Sequence, residues 1–193
     1  MDLNQIKELR EKTGASIGDC KSCLDQANGD FEEAIALLRK KGAQIADKKS
    51  CRETVEGLIG SYLHCNGKVA ALVVVKCETD FVALNQEFRD LAKDLAMHIT
   101  AMNPTYRSPL DVPAEVIAKE REIETEKLLK EGKPKKMIEK ILEGKLQKFY
   151  ERVCLIKQPF IKEDKITVED LINQKIQKIG EKIEVGQFVR LEL

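Results

Sequence analysis

Asn66-Gly67 stands between two apolar runs, residues 57–65 and 68–77. An Asn-Gly pair flanked in this way is the strongest short-range hairpin signal, because both residues tolerate positive φ. The middle of the chain is therefore committed to an antiparallel β-hairpin, and the other elements must pack around it. Residues 182–193 alternate toward their end. Val189, Leu191 and Leu193 fall on one face, with Arg190 and Glu192 on the other. This period of two predicts a terminal strand that joins the hairpin in a three-stranded antiparallel sheet.

Before residue 57 the period is helical. Leu3, Ile6 and Leu9 recur at helix spacing, and Thr13-Gly14-Ala15 breaks the pattern. Ser16 is a good N-cap, with Asp19 three residues later as in a capping box. Ile17, Cys20, Leu24 and Ala27 form the expected stripe of a second helix, ended by the turn signal Asn28-Gly29. Asp30 caps a third helix whose Phe31, Ala34, Ile35 and Leu38 face inward. Arg39, Lys40 and Lys41 suit its last turn, and Gly42 is expected to end it. Residues 43–56 read as a partly helical linker.

After the hairpin, residues 83–102 read as one helix, with Leu84, Phe88, Leu91, Leu95, Ile99 and Met102 on one side. Residues 113–150 read as an antiparallel helical hairpin bent at Gly132-Lys133-Pro134. Val116, Ile123 and Leu128 line one arm, and Ile138, Ile141, Leu142 and Phe149 the other. Residues 153–161 look extended, and Thr167 caps a further helix through Ile179. The predicted class is α+β: a small three-helix unit, then a core of three-stranded sheet packed by helices. The expected division is 1–42, a linker 43–56, and a core 57–193.

Composition excludes several functions. Thirty-three Lys plus Arg balance 33 Asp plus Glu, so the basic excess of a nucleic-acid binder is missing. The start is polar and acidic, which predicts no secretory signal, and the longest apolar run, residues 69–75, is too short for a bilayer span. A cytoplasmic chain is expected, with its six cysteines reduced. No phosphate-cradling glycine loop and no Ser/His/Asp set occurs, so no enzyme activity, cofactor or metal is predicted. His98 reads as structural. Cys20 and Cys23 form a lone C-x-x-C on an apolar stripe, which reads as core packing rather than zinc or redox chemistry.

One local feature allows two readings. The second hairpin strand runs into Glu78-Thr79-Asp80-Phe81-Val82-Ala83. Either Thr79 or Asp80 caps the following helix while Phe81 folds back into the core as a staple. Or Phe81 stands out from a tight corner as an aromatic anchor for a partner's pocket. Pattern alone favours the first.

Three segments taken in order bear on that choice. Residues 7–16, with Asp19-Cys20-Lys21 and Asn28-Gly29-Asp30, resemble the amino-terminal signature of the elongation factor Ts family. Residues 77–83 resemble its central motif. Gly132-Lys133-Pro134, Glu143-Gly144-Lys145 and Gln158-Pro159-Phe160 resemble its carboxy-terminal region. The resemblance implies an amino-terminal domain of the ubiquitin-associated (UBA-like) type and a coiled-coil hairpin. It implies a guanine nucleotide exchange factor whose partner is elongation factor Tu, acting in translation elongation. It assigns partner contacts to Asp80 and Phe81, to Arg10, Ile17 and Lys21, and to His64. Gly18 departs from the bulky apolar residue many relatives carry after Thr-Gly-Ala. The chain is also short, with one core half where longer relatives have two, and short members look like homodimers. The alternative is a UBA-type protein-binding module without exchange activity, which leaves residues 43–193 without a role.

Overall fold

A computed structural model describes residues 3–131 and 134–193, so Gly132 and Lys133 of the expected bend lie outside the described residues. The chain forms two compact units, residues 1–100 with 169–193, and residues 101–168.

The first unit opens with α1 (Leu3–Thr13), α2 (Ile17–Gln26) and α3 (Phe31–Lys49). Ser16 Oγ accepts the Asp19 N–H at 3.1 Å, and Asp30 Oδ1 accepts the Glu33 N–H at 2.9 Å, so both predicted caps form. Ile6, Leu9, Cys20, Cys23, Leu24, Ala27, Ala34 and Leu38 bury together. Ile17 does not belong to that stripe. It begins α2 on the solvent side at 57% exposure, and Cys23 packs inward instead. Gly42 does not end α3, which continues to Lys49. Its missing side chain has another use: an added Cβ would meet Gln177 Oε1 at 3.3 Å. The glycine lets α3 lie close to α8 (Val168–Ile179).

The sheet of this unit has the order β1-β2-β5, antiparallel throughout: β1 (Glu56–Leu63), β2 (Val69–Cys77) and β5 (Glu184–Glu192). The predicted terminal strand is therefore present, with β2 as the central strand. The hairpin turn is wider than the Asn-Gly pair suggested. The His64 N–H bonds Val69 O, Gly67 N–H bonds His64 O, and only Gly67 takes positive φ, 68°. Asn66 instead accepts the Lys68 N–H on its side chain at 3.0 Å.

Residues 80–102 form two helices rather than one: α4 (Asp80–Leu84) and α5 (Gln86–Met102). Asn85 is extended (ψ 134°) and its side chain accepts the Glu87 N–H at 2.8 Å. The break turns Leu84 off the buried stripe, while Phe88, Leu91, Leu95, Ile99 and His98 are buried on α5. Met102, at the far end, is also exposed. Small residues set the fit of α5 to the sheet. A Cβ on Gly60 would stand 2.3 Å from the Ala92 carbonyl oxygen, so β1 approaches the α5 backbone as only glycine permits. Arg190 reaches across the same face and donates to the Thr100 carbonyl at 3.0 Å.

The second unit is built on α6 (Ala114–Lys130) and α7 (Lys135–Val153). Their ion pairs, Glu120 with Arg152 and Glu124 with Lys145, show the two running in opposite directions. Leu128, Ile138, Leu142, Leu146 and Phe149 are buried. Ile123, expected inside, is exposed; the inward place is taken by Glu124, which Lys127 and Lys145 neutralise. Residues 153–161 are less extended than expected. A 3-10 turn, Leu155–Lys157, precedes a small antiparallel pair, β3 (Pro159–Phe160) with β4 (Glu163–Thr167). Just after the 3-10 turn Gln158 is buried and donates to Arg152 O at 2.9 Å.

Two expectations follow. Gly60→Ala lowers stability by about 3 kcal/mol through overpacking, whereas Gly144→Ala, in open space on α7, raises it by roughly 0.5–1 kcal/mol; urea unfolding monitored by circular dichroism measures both. The Lys127 hydrogen bond, aided by Lys145, holds the Glu124 carboxyl below its ordinary 4.5. A depressed carboxyl stabilises the fold above its ordinary value, and that contribution is lost as pH falls through the folded value. Glu124→Gln therefore costs about 1 kcal/mol at neutral pH, and the gap to wild type closes on acidification below 4.5.

Candidate functional site

The sequence left the position of Phe81 open between core and solvent. The ring is 81% exposed, so it is not a staple. Three local causes put it outside. β2 ends at Cys77, whose thiol donates to Thr79 O at 3.2 Å and turns the chain. Thr79 is extended (φ −126°, ψ 156°), and α4 starts at once with Asp80. Asn85 then ends α4 after one turn, before the stripe of α5 can draw Phe81 inward.

Thr79 holds the N-cap place of α4 but makes no capping bond there. Its hydroxyl donates instead to Glu181 Oε1 at 2.7 Å. Glu78 accepts the Lys182 N–H at 2.6 Å and pairs with Arg52 at 3.2 Å. The Lys182 N–H, with Arg52 second, holds the Glu78 carboxyl below its ordinary value. Burial pushes the Cys77 thiol up to about 11, reinforced by the charges of Glu181 and Glu56, so it remains a neutral donor. Asp80 is exposed in the first turn of α4, where a carboxylate is favoured by the helix dipole.

Leu84 is a residue that periodicity misplaced. It lies one turn beyond Phe81, is 66% exposed, and extends the apolar tip. The signal for it was Asn85, a residue that readily bonds its own downstream backbone and so interrupts a helix.

The remaining candidates lie in two other places. Arg10 is exposed in the last turn of α1, and Ile17 and Lys21 lie one turn apart on the exposed side of α2. Between them Asp19 turns inward to Lys41 of α3, whose hydrogen bond holds the Asp19 carboxyl below its ordinary value. His64 is exposed where β1 enters the turn, its ring 6.4 Å from that of Tyr62. His64 pairs with Val69 and the corner follows Cys77, so β2 separates them. At about 3.3 Å per residue that is roughly 25 Å. The candidates thus lie at separate exposed places rather than together.

A second apolar surface was not foreseen at its full extent. Ile59, Leu63, Leu72, Val189 and Leu191 share the outer face of the sheet and are exposed, with Leu63 at 66% and Leu191 at 67%. Soluble monomers rarely leave so continuous an apolar patch uncovered.

Among the described residues no cluster of His, Cys, Asp or Glu is placed to hold a metal ion, and no helix is long and apolar enough to cross a membrane. All six cysteines are free; Cys20 and Cys23 lie in the three-helix core, where burial pushes both thiols up.

Comparison with known proteins agrees with this picture. The family model described as Elongation factor TS matches residues 4–193. An elongation factor Ts of Fervidobacterium nodosum is 53% identical over 193 residues, covering 100% of this chain and 98% of that protein. One from Moorella thermoacetica is 53% identical over 188 residues, covering 97% and 93%. One from Solidesulfovibrio magneticus is 50% identical over 188 residues, covering 97% and 94%. With nearly the whole chain matched, and at this identity, the protein belongs to the elongation factor Ts family.

Proposed function

We propose that this chain is a guanine nucleotide exchange factor for elongation factor Tu, acting in the cytoplasm without enzymatic chemistry of its own. The observation that carries the reading is the exposed Phe81 ring on a corner fixed by its own subunit. An exposed aromatic on a fixed corner loses little freedom when it enters a pocket, and such residues dominate interface energies.

The physics is linkage. A factor that binds the empty GTPase better than the loaded one must weaken nucleotide binding by the same ratio. Phe81, with Leu84 beside it, is the wedge. Its burial favours a displaced partner element and so withdraws groups that hold magnesium and phosphate. Asp80 orients the corner or bonds partner backbone. Arg10, Ile17 and Lys21, on the three-helix part (1–42, UBA-like, with 43–56 as its linker), hold the GTPase domain from another side. His64, roughly 25 Å along the strands from the corner, engages a second partner domain. The α6/α7 hairpin serves as a coiled-coil arm of the core 57–193.

The outer sheet face is the seat of a second copy of the chain. It is apolar at Ile59, Leu63, Leu72, Val189 and Leu191, and a two-fold dimer buries the same patch of each copy against the other. Two such faces stacked make a sandwich about 10 Å between sheets. A UBA-type module alone uses neither the corner nor this face.

Phe81→Ala is expected to keep native circular dichroism, because the ring is mostly in water. It should cost about 2–4 kcal/mol of interaction with the empty partner, read in stopped-flow as slower release of a fluorescent GDP. Unchanged release would remove the wedge. For the dimer, Leu72→Glu and Leu191→Glu each place a charge in the apolar face and should halve the mass seen by light scattering. Wild type already at single-chain mass would dismiss the face as a dimer seat.

A further inference from the structure

The corner carrying Phe81 cannot hold itself. α4 has five residues, too few for a self-sustaining helix, and no side chain caps it. What fixes it lies about a hundred residues away in sequence. Glu181 Oε2 accepts both the Glu78 N–H and the Thr79 N–H, each at 3.1 Å. Glu181 Oε1 accepts the Thr79 hydroxyl at 2.7 Å. Two successive backbone N–H groups form a small cradle suited to an anion, and here a carboxylate fills it.

The arrangement is reciprocal. Glu78, on the corner, accepts the Lys182 N–H next to Glu181 at 2.6 Å. The Lys182 ammonium donates to Ser50 O at 2.9 Å and Arg52 O at 3.0 Å, and Arg52 returns to Glu78. Three segments, residues 50–52, 78–79 and 181–182, therefore fix one another just before Asp80 and Phe81. Hydrogen bonds to a charged acceptor are roughly twice as strong as neutral ones. Only an acceptor can take all three donors at once, which a carboxylate does and an amide does less completely.

We propose that Glu181 is a positioning residue for nucleotide exchange: by holding the Glu78 and Thr79 N–H groups and the Thr79 hydroxyl, it sets the direction in which Phe81 leaves the corner. The proposal rests on the wedge role given to Phe81 above. Without Glu181 the ring would still be exposed but would sample many directions. The partner would then have to select the productive one, at a cost in rate.

The test uses the full chain and GDP-loaded elongation factor Tu, with release followed at saturating factor. Glu181→Ala is expected to slow maximal release roughly tenfold. Glu181→Gln, which keeps an acceptor oxygen, should recover to within about threefold of wild type. Thr79→Val removes one donor with little change of shape and should slow release about threefold. In a Phe81→Ala background, Glu181→Ala and Thr79→Val should add less than about twofold, because the group they aim is gone. A loss of stability alone would act equally in both backgrounds. Wild-type release by Glu181→Ala, or an equal loss with and without Phe81, overturns the proposal. If Glu181→Ala fails to fold, Thr79→Val decides, and its wild-type release overturns the proposal as well. Normal release by Phe81→Ala alone instead overturns the wedge, a separate failure.

Discussion

β2 is hydrogen-bonded along both edges, to β1 on one side and β5 on the other, and what the molecule presents outward is placed by that double pairing. A slip of one residue would send Ala71, Val73 and Val75 to solvent and bring Leu72 and Val74 inside. The inner face is then fitted to α5 by backbone proximity at Gly60 and Ala92, which leaves no play along the helix. One end of β2 carries the turn with His64 and the other opens into the corner with Phe81. His64 and Phe81 are thus held apart at the two ends of one hydrogen-bonded strand.

That arrangement suits a protein that works by differential binding. A catalyst of bond chemistry gathers its groups around reacting atoms and excludes water. Here the candidate groups are exposed and dispersed. On the proposed reading, widely spaced contacts on a stiff scaffold let the partner be held by some points while its nucleotide site is deformed by one. Exchange of binding energy for deformation requires that the wedge itself not yield, since a soft tip would bend in place of the partner.

The parts of the fold legible in sequence were those written in local chemistry. The Ser16 and Asp30 caps, the hairpin around Gly67 and the alternating Val189, Leu191 and Leu193 each follow from spacing within a few residues. Where reading failed, a distant neighbour had decided. Gly42 looked like a helix stop, but α3 runs through it to Lys49, and its missing side chain leaves room for Gln177 of α8. Ile123 looked like core, but Glu124 takes that place, neutralised by Lys127 on its own helix and by Lys145 on the facing one. Phe81 looked by pattern alone like a core staple, and the ring is instead exposed. Its exposure follows from Asn85 cutting α4 short, while the corner itself is held by Glu181 on the Thr79 hydroxyl, a contact from the far end of the chain.

Those failures also separate the two exposed apolar surfaces. Places where local pattern and final burial disagree tend to be functional or strained sites. The outer sheet face and the Phe81 tip are both of this kind, but their shapes differ. On the proposed reading the sheet face takes a second copy of the chain, and covering it favours lasting association. The tip presents one ring and Leu84, so it needs a concave pocket, buries little, and can be withdrawn. A chain whose charges sum to zero has little electrostatic repulsion to keep loose copies apart. On the proposed reading, covering the face while leaving the tip free lets one molecule be stably assembled and still release its partner.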